Sequence, residues 1–297
     1  MSVYKESHDV LKQAIDSILN QTFTDFEYII VYDAPDYEPN KILLQNYAAK
    51  NKKIKLHFNE KNQGLAASLN NGLKEASGTY IARMDADDIA YPERIETQLN
   101  YLKENNLDFT GCYVKTIYED GKELQKVVKV PVTHKKIVKT LKINNCIFHP
   151  TWFLKKEVFD KIGGYYGAFA EDYMFILEAM KRNYKFGNVP EVLLKYRMGK
   201  SSISRSNLFL QYICMCYLQK KYFSHKVDDT CLEFYLIDKF TEEKQEKFVE
   251  SSNYLTDAIH AFKAKHLVKC VCNLNRAFFG SKEYRRKMVS YLRQFLV

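Results

Sequence analysis

The chain has 297 residues, of which 46% are hydrophobic and 27% charged, with a net charge of +9. This composition excludes a disordered or fibrous chain and allows a sizeable core, and no apolar run reaches the ~18 residues of a spanning helix. The excess of 45 basic over 36 acidic residues suits phosphorylated ligands or an anionic surface.

Strand-like and helix-like segments alternate through the first half. Residues 11–19 carry apolar side chains at 11, 14, 15, 18 and 19, which predicts a helix. Residues 26–31 form an apolar run expected to be a strand. Helix is expected at 42–49, strand at 54–58 and helix at 64–76, ended by Gly78. Residues 80–84 read as the next strand. Pro92 suits the first turn of a helix running to 104, and 109–114 closes the series. Such alternation predicts an α/β fold with a mainly parallel sheet. Asp120-Gly121 marks a hairpin turn. Further on, 171–182 reads as helix and 185–196 as two short strands around Pro190. After Ser206 only Gly280 interrupts a Pro-free stretch, so the C-terminal region is expected to be mostly α-helical. Residues 208–218 predict a buried helix.

The N-terminus MSVYKESHDV lacks an apolar signal core. The expected location is therefore cytoplasmic, or peripheral on the inner face of the cell membrane. Seven cysteines are scattered, and their C-x-C pairs lack zinc or redox spacing. They are expected to be free thiols that pack as small hydrophobes.

Arg83-Met84-Asp85-Ala86-Asp87-Asp88 concentrates three carboxylates directly after the strand-like 80–82. Crowded carboxylates repel unless a cation sits among them. A hard divalent ion there would leave positions open for a phosphate. An EF-hand reading fails, because Ile89 would fall at a ligand position and Ala90 at the turn glycine. The P-loop and G-x-G-x-x-G phosphate cradles are also missing. Ligands of parallel α/β sheets sit beyond the carboxyl ends of the strands. Asp33 and the Asp85–Asp87 pair lie at such ends, and Glu171-Asp172 starts a helix in the second half.

Four segments occur in order: Asn20-Gln21-Thr22-Phe23-Thr24-Asp25-Phe26-Glu27, Asn62-Gln63-Gly64-Leu65-Ala66, the acidic motif with Pro92, and Phe169-Ala170-Glu171-Asp172-Tyr173. Together they resemble the inverting glycosyltransferases of family 2, with the capsule and cell-surface polysaccharide branch nearest. The resemblance spans residues 1 to about 204. It implies a GT-A fold, Rossmann-like with a mainly parallel central sheet and flanking helices. Residues 1–114 would bind the nucleotide, 115–204 the acceptor, and 205–297 would form a helical region.

Residue by residue, the resemblance implies these roles. Tyr4 packs on the base, with Glu6 beside it. Asp33, Asn62, Gly64, Arg83, Asp85 and Ala86 contact the nucleotide sugar. Asp87 and Asp85 hold Mn2+ or Mg2+, with Asp88 the least important of the three acids. Asp172 is the base, with Glu171 its neighbour. His149, Trp152, Arg197 and Lys200 line the acceptor or diphosphate side. The donor is a nucleotide sugar, UDP-linked by preference, and the acceptor is a saccharide or lipid-linked saccharide. No nucleic acid is expected as a partner. Two departures stand out: Tyr32 replaces an acid commonly found beside Asp33, and the first strand is short.

Plainer readings compete at several positions. Trp152 and His149 fit a packed core, Arg197 fits an ion pair, and Glu171-Asp172 fit first-turn acids at a helix dipole. Two alternatives to the transferase are a sugar nucleotidyltransferase and an inactive scaffold that binds a membrane or partner. The first would carry a Gly-rich basic loop where 2–7 has none. Residues 284–297 are basic and amphipathic, so they would contact a membrane, the rest of the chain, or a second subunit in a homo-oligomer.

Overall fold

The computed structural model describes residues 1–167, 169–198, 207–224 and 232–295. Met1–Leu141 with Asn145–Lys200 form one compact unit, and Lys142–Asn144 with Ser201–Val297 form a second.

The first unit opens with β1 (Ser2–Val3) and α1 (His8–Leu19), which buries Leu11, Ala14, Ile15 and Ile18 at helical spacing. β2 (Tyr28–Tyr32), α2 (Glu38–Lys50), β3 (Ile54–Phe58) and α3 (Leu65–Glu75) follow. β1, β2 and β3 form a three-stranded parallel sheet. β1 meets only Val31 and Tyr32 of β2. A single bridge joins Ser2 to Asp85. Below that bridge a cavity of about 760 Å³ separates β2 from β4 (Tyr80–Ala82). The shortness of the first strand, legible in the sequence, therefore divides the sheet.

The second sheet holds β4, β5 (Ile89–Ala90), β6 (Phe109–Tyr118), β7 (Glu123–Val128), β8 (Phe153–Lys155) and β9 (Phe186–Met198). Its order is β4-β8-β6-β9-β5, with β7 paired on β6. β6 and β9 run parallel, and the other pairings are antiparallel. The mainly parallel expectation thus describes the first sheet, whereas the second is mixed. The two short strands expected around Pro190 are one strand. Cys112 pairs Val189 and Tyr113 pairs Val192, so Pro190 and Glu191 bulge out of the ladder. A residue without an N–H is tolerated there because no ladder bond is needed. The hairpin at 118–122 forms as expected, with Gly121 at φ +81°. α4 (Arg94–Glu104), α5 (His134–Leu141), α6 (Lys156–Ile162) and α7 (Glu171–Lys181) cover the sheet. Trp152, Phe109, Phe175 and Phe159 stack into an aromatic core beneath them.

The second unit is helical: α8 (Leu208–Gln219), a π turn, α9 (Leu232–Lys239), α10 (Glu242–Lys263), α11 (Leu267–Gly280) and α12 (Lys282–Phe295). Phe209, Ile213, Phe248 and Tyr284 form its core, with Met288 packed against them. Tyr284 and Met288 therefore occupy part of the apolar face on which a membrane role for 284–297 rested. Among the described residues no helix is long and apolar enough to cross a membrane. The described cysteines are free thiols, four of them buried.

Gly111 lies in β6 where a Cβ would fall 2.6 Å from Ile147 Cγ2 and 2.9 Å from Thr151 Oγ1, and closer still to Asn188 Oδ1. Gly111→Ala is expected to destabilise the protein by about 1–3 kcal/mol through overpacking. Thermal unfolding checks this, and an unchanged midpoint would contradict the packing described.

Candidate active site

The chain leaves β4 at Ala82 and turns through 83–88 before β5. Three arginines fix that turn. Arg83 is buried, and its backbone N–H donates to the Trp152 carbonyl at 2.8 Å. Arg94 from α4 is also buried and donates from Nη2 to the Arg83 carbonyl at 2.6 Å. Arg197 from β9 donates from Nε to the Asp87 carbonyl at 2.6 Å, while its backbone N–H donates to Asp88 Oδ1 at 2.8 Å. Its guanidinium also reaches the Glu119 carbonyl at 2.8 Å and Gln13 Oε1 at 2.9 Å.

On this turn Asp85, Asp87 and Asp88 each present a carboxylate oxygen, all within 4.8 Å of one another. Burial and the neighbouring carboxylates push the Asp87 and Asp88 carboxyls upward. Asp88 Oδ2 is buried without a hydrogen-bond partner among the described residues. Arg83 Nη1 pairs with Asp85. Arg83 Nε is buried without a hydrogen-bond acceptor among the described residues. An oxygen-only donor set with an orphaned buried oxygen fits a hard divalent cation. Arg83 supplies only part of the compensating charge. Asp88, expected to matter least of the three, lies in the same cluster as Asp85 and Asp87.

Asp33, at the end of β2, is buried and occupied by protein. Its Oδ1 accepts from Asn59 Nδ2 at 2.7 Å and Gln63 N at 2.8 Å, and its Oδ2 from Gly64 N at 2.8 Å. Asn62 Oδ1 also accepts from Gly64 N at 3.0 Å. Gly64 has φ +81°, a conformation that favours glycine, and starts α3. Asp33 thus shapes the 59–64 turn. Tyr4 is exposed and available for stacking, and Glu6 Oε2 accepts from Tyr4 N at 2.8 Å.

Glu171 and Asp172 begin α7 after Ala170, a non-glycine residue at φ +57°. Asp172 Oδ1 accepts from Tyr173 N at 2.7 Å, and Oδ2 accepts from Asn145 Nδ2 at 2.8 Å. Asn145 is itself held, since its Oδ1 accepts from Ile147 N at 3.0 Å. Burial raises both acidic groups, and the Asp172 charge raises Glu171 further. Arg83 draws both downward and Asp85 pushes Glu171 up, so α7 opens onto the same region as the acidic turn. His149 Nε2 lies 2.9 Å from Tyr165 OH, and burial together with Arg83 pushes the imidazole well below its ordinary range.

Several expected roles need correction. Trp152 does not line an open site. It is fully buried, donates from Nε1 to the Ile147 carbonyl at 3.1 Å, and stacks on Tyr165. Its bulk is worth most where it excludes water. Arg197 is buried and spends its donors on carbonyls and Gln13, so it braces the turn rather than facing an acceptor. Ala86 is buried in the core, which leaves only its backbone to meet a ligand. Lys200 lies outside the described residues. Conversely, sequence reasoning missed Asn59, Arg94, Asn145 and Tyr165. None of these sits in a recognisable motif, and each acts through a partner distant in the chain.

The family described as Glycosyl transferase family 2 matches residues 1–163. The chain is 37% identical over 212 residues to the O-antigen biosynthesis glycosyltransferase WbnJ of Escherichia coli, covering 70% of this chain and 82% of that one. Among solved structures it resembles S. aureus TarS 1–349 in complex with UDP-GlcNAc. The TM-score is 0.56 at 16% identity, over 98% of this chain and 91% of that one. It also resembles the mannosyltransferase PcManGT of Pyrobaculum calidifontis in complex with GDP-Man and Mn2+. There the TM-score is 0.58 at 13% identity, over 100% of this chain and 79% of that one. These two likenesses establish a shared GT-A fold.

The crowding has a measurable consequence. Asp88→Asn keeps an oxygen for Arg197 N but removes one of three mutually repelling charges. Without metal it is expected to stabilise the protein, because the buried charge is disfavoured by its neighbours. Were a divalent cation held by the three carboxylates, the same change should weaken its binding at least tenfold. Thermal unfolding with EDTA and titration calorimetry with Mn2+ check the two opposite signs.

Proposed function

The chain belongs to glycosyl transferase family 2, and on that premise we propose how its residues divide the work of sugar transfer. The donor is a nucleotide sugar, UDP-linked by preference, and the acceptor is a hydroxyl of a saccharide or lipid-linked saccharide. Transfer inverts the anomeric centre and serves surface-polysaccharide synthesis, a reading supported by the similarity to an O-antigen transferase. The single observation that carries it is the three-carboxylate turn, with a buried unpartnered oxygen, sharing its electrostatic surroundings with Glu171 and Asp172.

In this reading residues 1–114 grip the nucleotide, 115–204 receive the acceptor, and 205–297 form the helical region. Tyr4 offers an exposed ring to the base, with Glu6 fixing the backbone beside it. The 59–64 turn, shaped by Asp33, closes over the nucleoside. Asp85, Asp87 and Asp88 would hold Mn2+ or Mg2+, which when bound neutralises charge on the leaving diphosphate. Arg83 adds fixed positive charge beside Asp85. Asp172 takes the acceptor proton, and a direct displacement needs no protein nucleophile. Asn145 and Tyr173 N hold its carboxylate in one orientation. The enzyme works on the cytoplasmic side.

Asp172→Asn is expected to retain donor binding while transfer falls by about 10²–10⁴-fold. Donor hydrolysis and transfer, screened across UDP-, GDP- and dTDP-sugars, should stop with EDTA and return with Mn2+. Wild-type turnover in Asp172→Asn would remove the base assignment. Activity unaffected by EDTA would remove the metal.

The base must be ionised to act, and burial raises the Asp172 and Glu171 carboxyls. The rate is therefore full at alkaline pH and falls as pH drops through the raised value. The acid limb of kcat should lie above the ordinary carboxylate value of about 4. A limb at or below that value would contradict the environment described.

A further inference from the structure

The helical unit exposes an apolar face that its own core does not use. α11 packs on Ala258 and Ala261 of α10 through Cys270, and Ala277 is buried on the same side of the helix. At 100° per residue, Leu274 and Leu267 border that side, and Val271, Val268 and Phe279 lie progressively further round the helix. All five are exposed, Val268 at 81% and Phe279 at 70%, and Phe262 at the end of α10 is exposed at 65%. Such a cluster of exposed apolar side chains marks a contact.

Charge identifies the contact. Residues 258–282 contain no Asp or Glu, yet hold Lys263, Lys265, Lys269, Arg276 and Lys282, all exposed. Among the described residues none of the four lysines forms an ion pair. Arg276 rests over the Tyr254 ring. A second copy docked symmetrically would set these cations against their own counterparts, with no acid in the segment to pair them. An anionic lipid surface suits both features: it takes the apolar side chains into the headgroup boundary and pairs the lysines with phosphates.

We propose that the α10–α11 corner is the face by which this protein docks on an anionic bilayer, with Phe262, Val268 and Phe279 inserted and the lysines at headgroup level. The proposal concerns a surface apart from the reacting residues and does not depend on their assignment. It moves the membrane contact away from 284–297, where Tyr284 and Met288 face inward.

Co-sedimentation of the full chain, under reducing conditions because Cys272 is exposed, tests it. Phosphatidylglycerol-rich vesicles are compared with pure phosphatidylcholine. Binding is expected only to the anionic vesicles. Val268→Asn with Phe279→Asn should weaken it on the order of a hundredfold. Lys263→Gln, Lys265→Gln and Lys269→Gln should each weaken it roughly fivefold. Donor hydrolysis in solution and thermal unfolding should stay unchanged in all of them, which separates this face from the reaction. Absence of binding to anionic vesicles overturns the proposal, as does binding that both sets of variants retain. A dimer in light scattering that Val268→Asn with Phe279→Asn dissolves would also overturn it, in favour of a second copy.

Discussion

Mutual repulsion among Asp85, Asp87 and Asp88 is the constraint that the rest of the catalytic unit serves. Three carboxylates within 4.8 Å, one fully buried, resist being held together. The fold holds them by the backbone. Arg94 grips the Arg83 carbonyl, Arg197 grips the Asp87 carbonyl, and Trp152 receives the Arg83 N–H. None of these contacts neutralises a carboxylate. Arg83 offers a counter-charge in direct contact with Asp85 and, at longer range, to Asp87 and Asp88. The turn is thus held through its backbone and is short of positive charge.

The scaffold explains why such a turn can exist. Arg94 and Arg197 come from a helix and a strand far apart in the sequence, and both are buried. Buried guanidiniums are costly unless their donors are used. Here backbone carbonyls of the acidic turn and of the β6–β7 hairpin supply most of the acceptors. The same side chains that the core must satisfy therefore set the geometry of the site. The aromatic cluster around Trp152 performs the matching task on the other side, fixing the chain segment that carries Asn145 and His149.

The elements of the first half were legible because their periodicity is strong: β3 falls at 54–58, and α3 and α4 lie within a residue or two of their expected bounds, as α7 does in the second half. Pro190 misled because a proline usually ends a strand, and only the facing strand β6 makes room for a bulge. The carboxylates were legible because acids at strand ends have few structural uses. Trp152 and Arg197 were misplaced because their types suit both a ligand and a core, and burial decides between them. Asn145 and Asn59 were missed because an asparagine carries no signal until its partner is known.

By itself, the sequence determined the alternating α/β order, the helical C-terminal region, and the family, since each is written in local spacing and in short motifs. It also held the acid-free stretch 258–282. Only the tertiary structure decided which groups are spent and which are free. Asp33 is consumed by the 59–64 turn and Arg197 by carbonyls, while Asp88 is left with an unpartnered oxygen. It likewise decided that α11 shows apolar side chains to solvent. The reason is the same in each case: hydrogen-bond satisfaction and burial are set by contacts between residues remote in the chain, which no local pattern encodes.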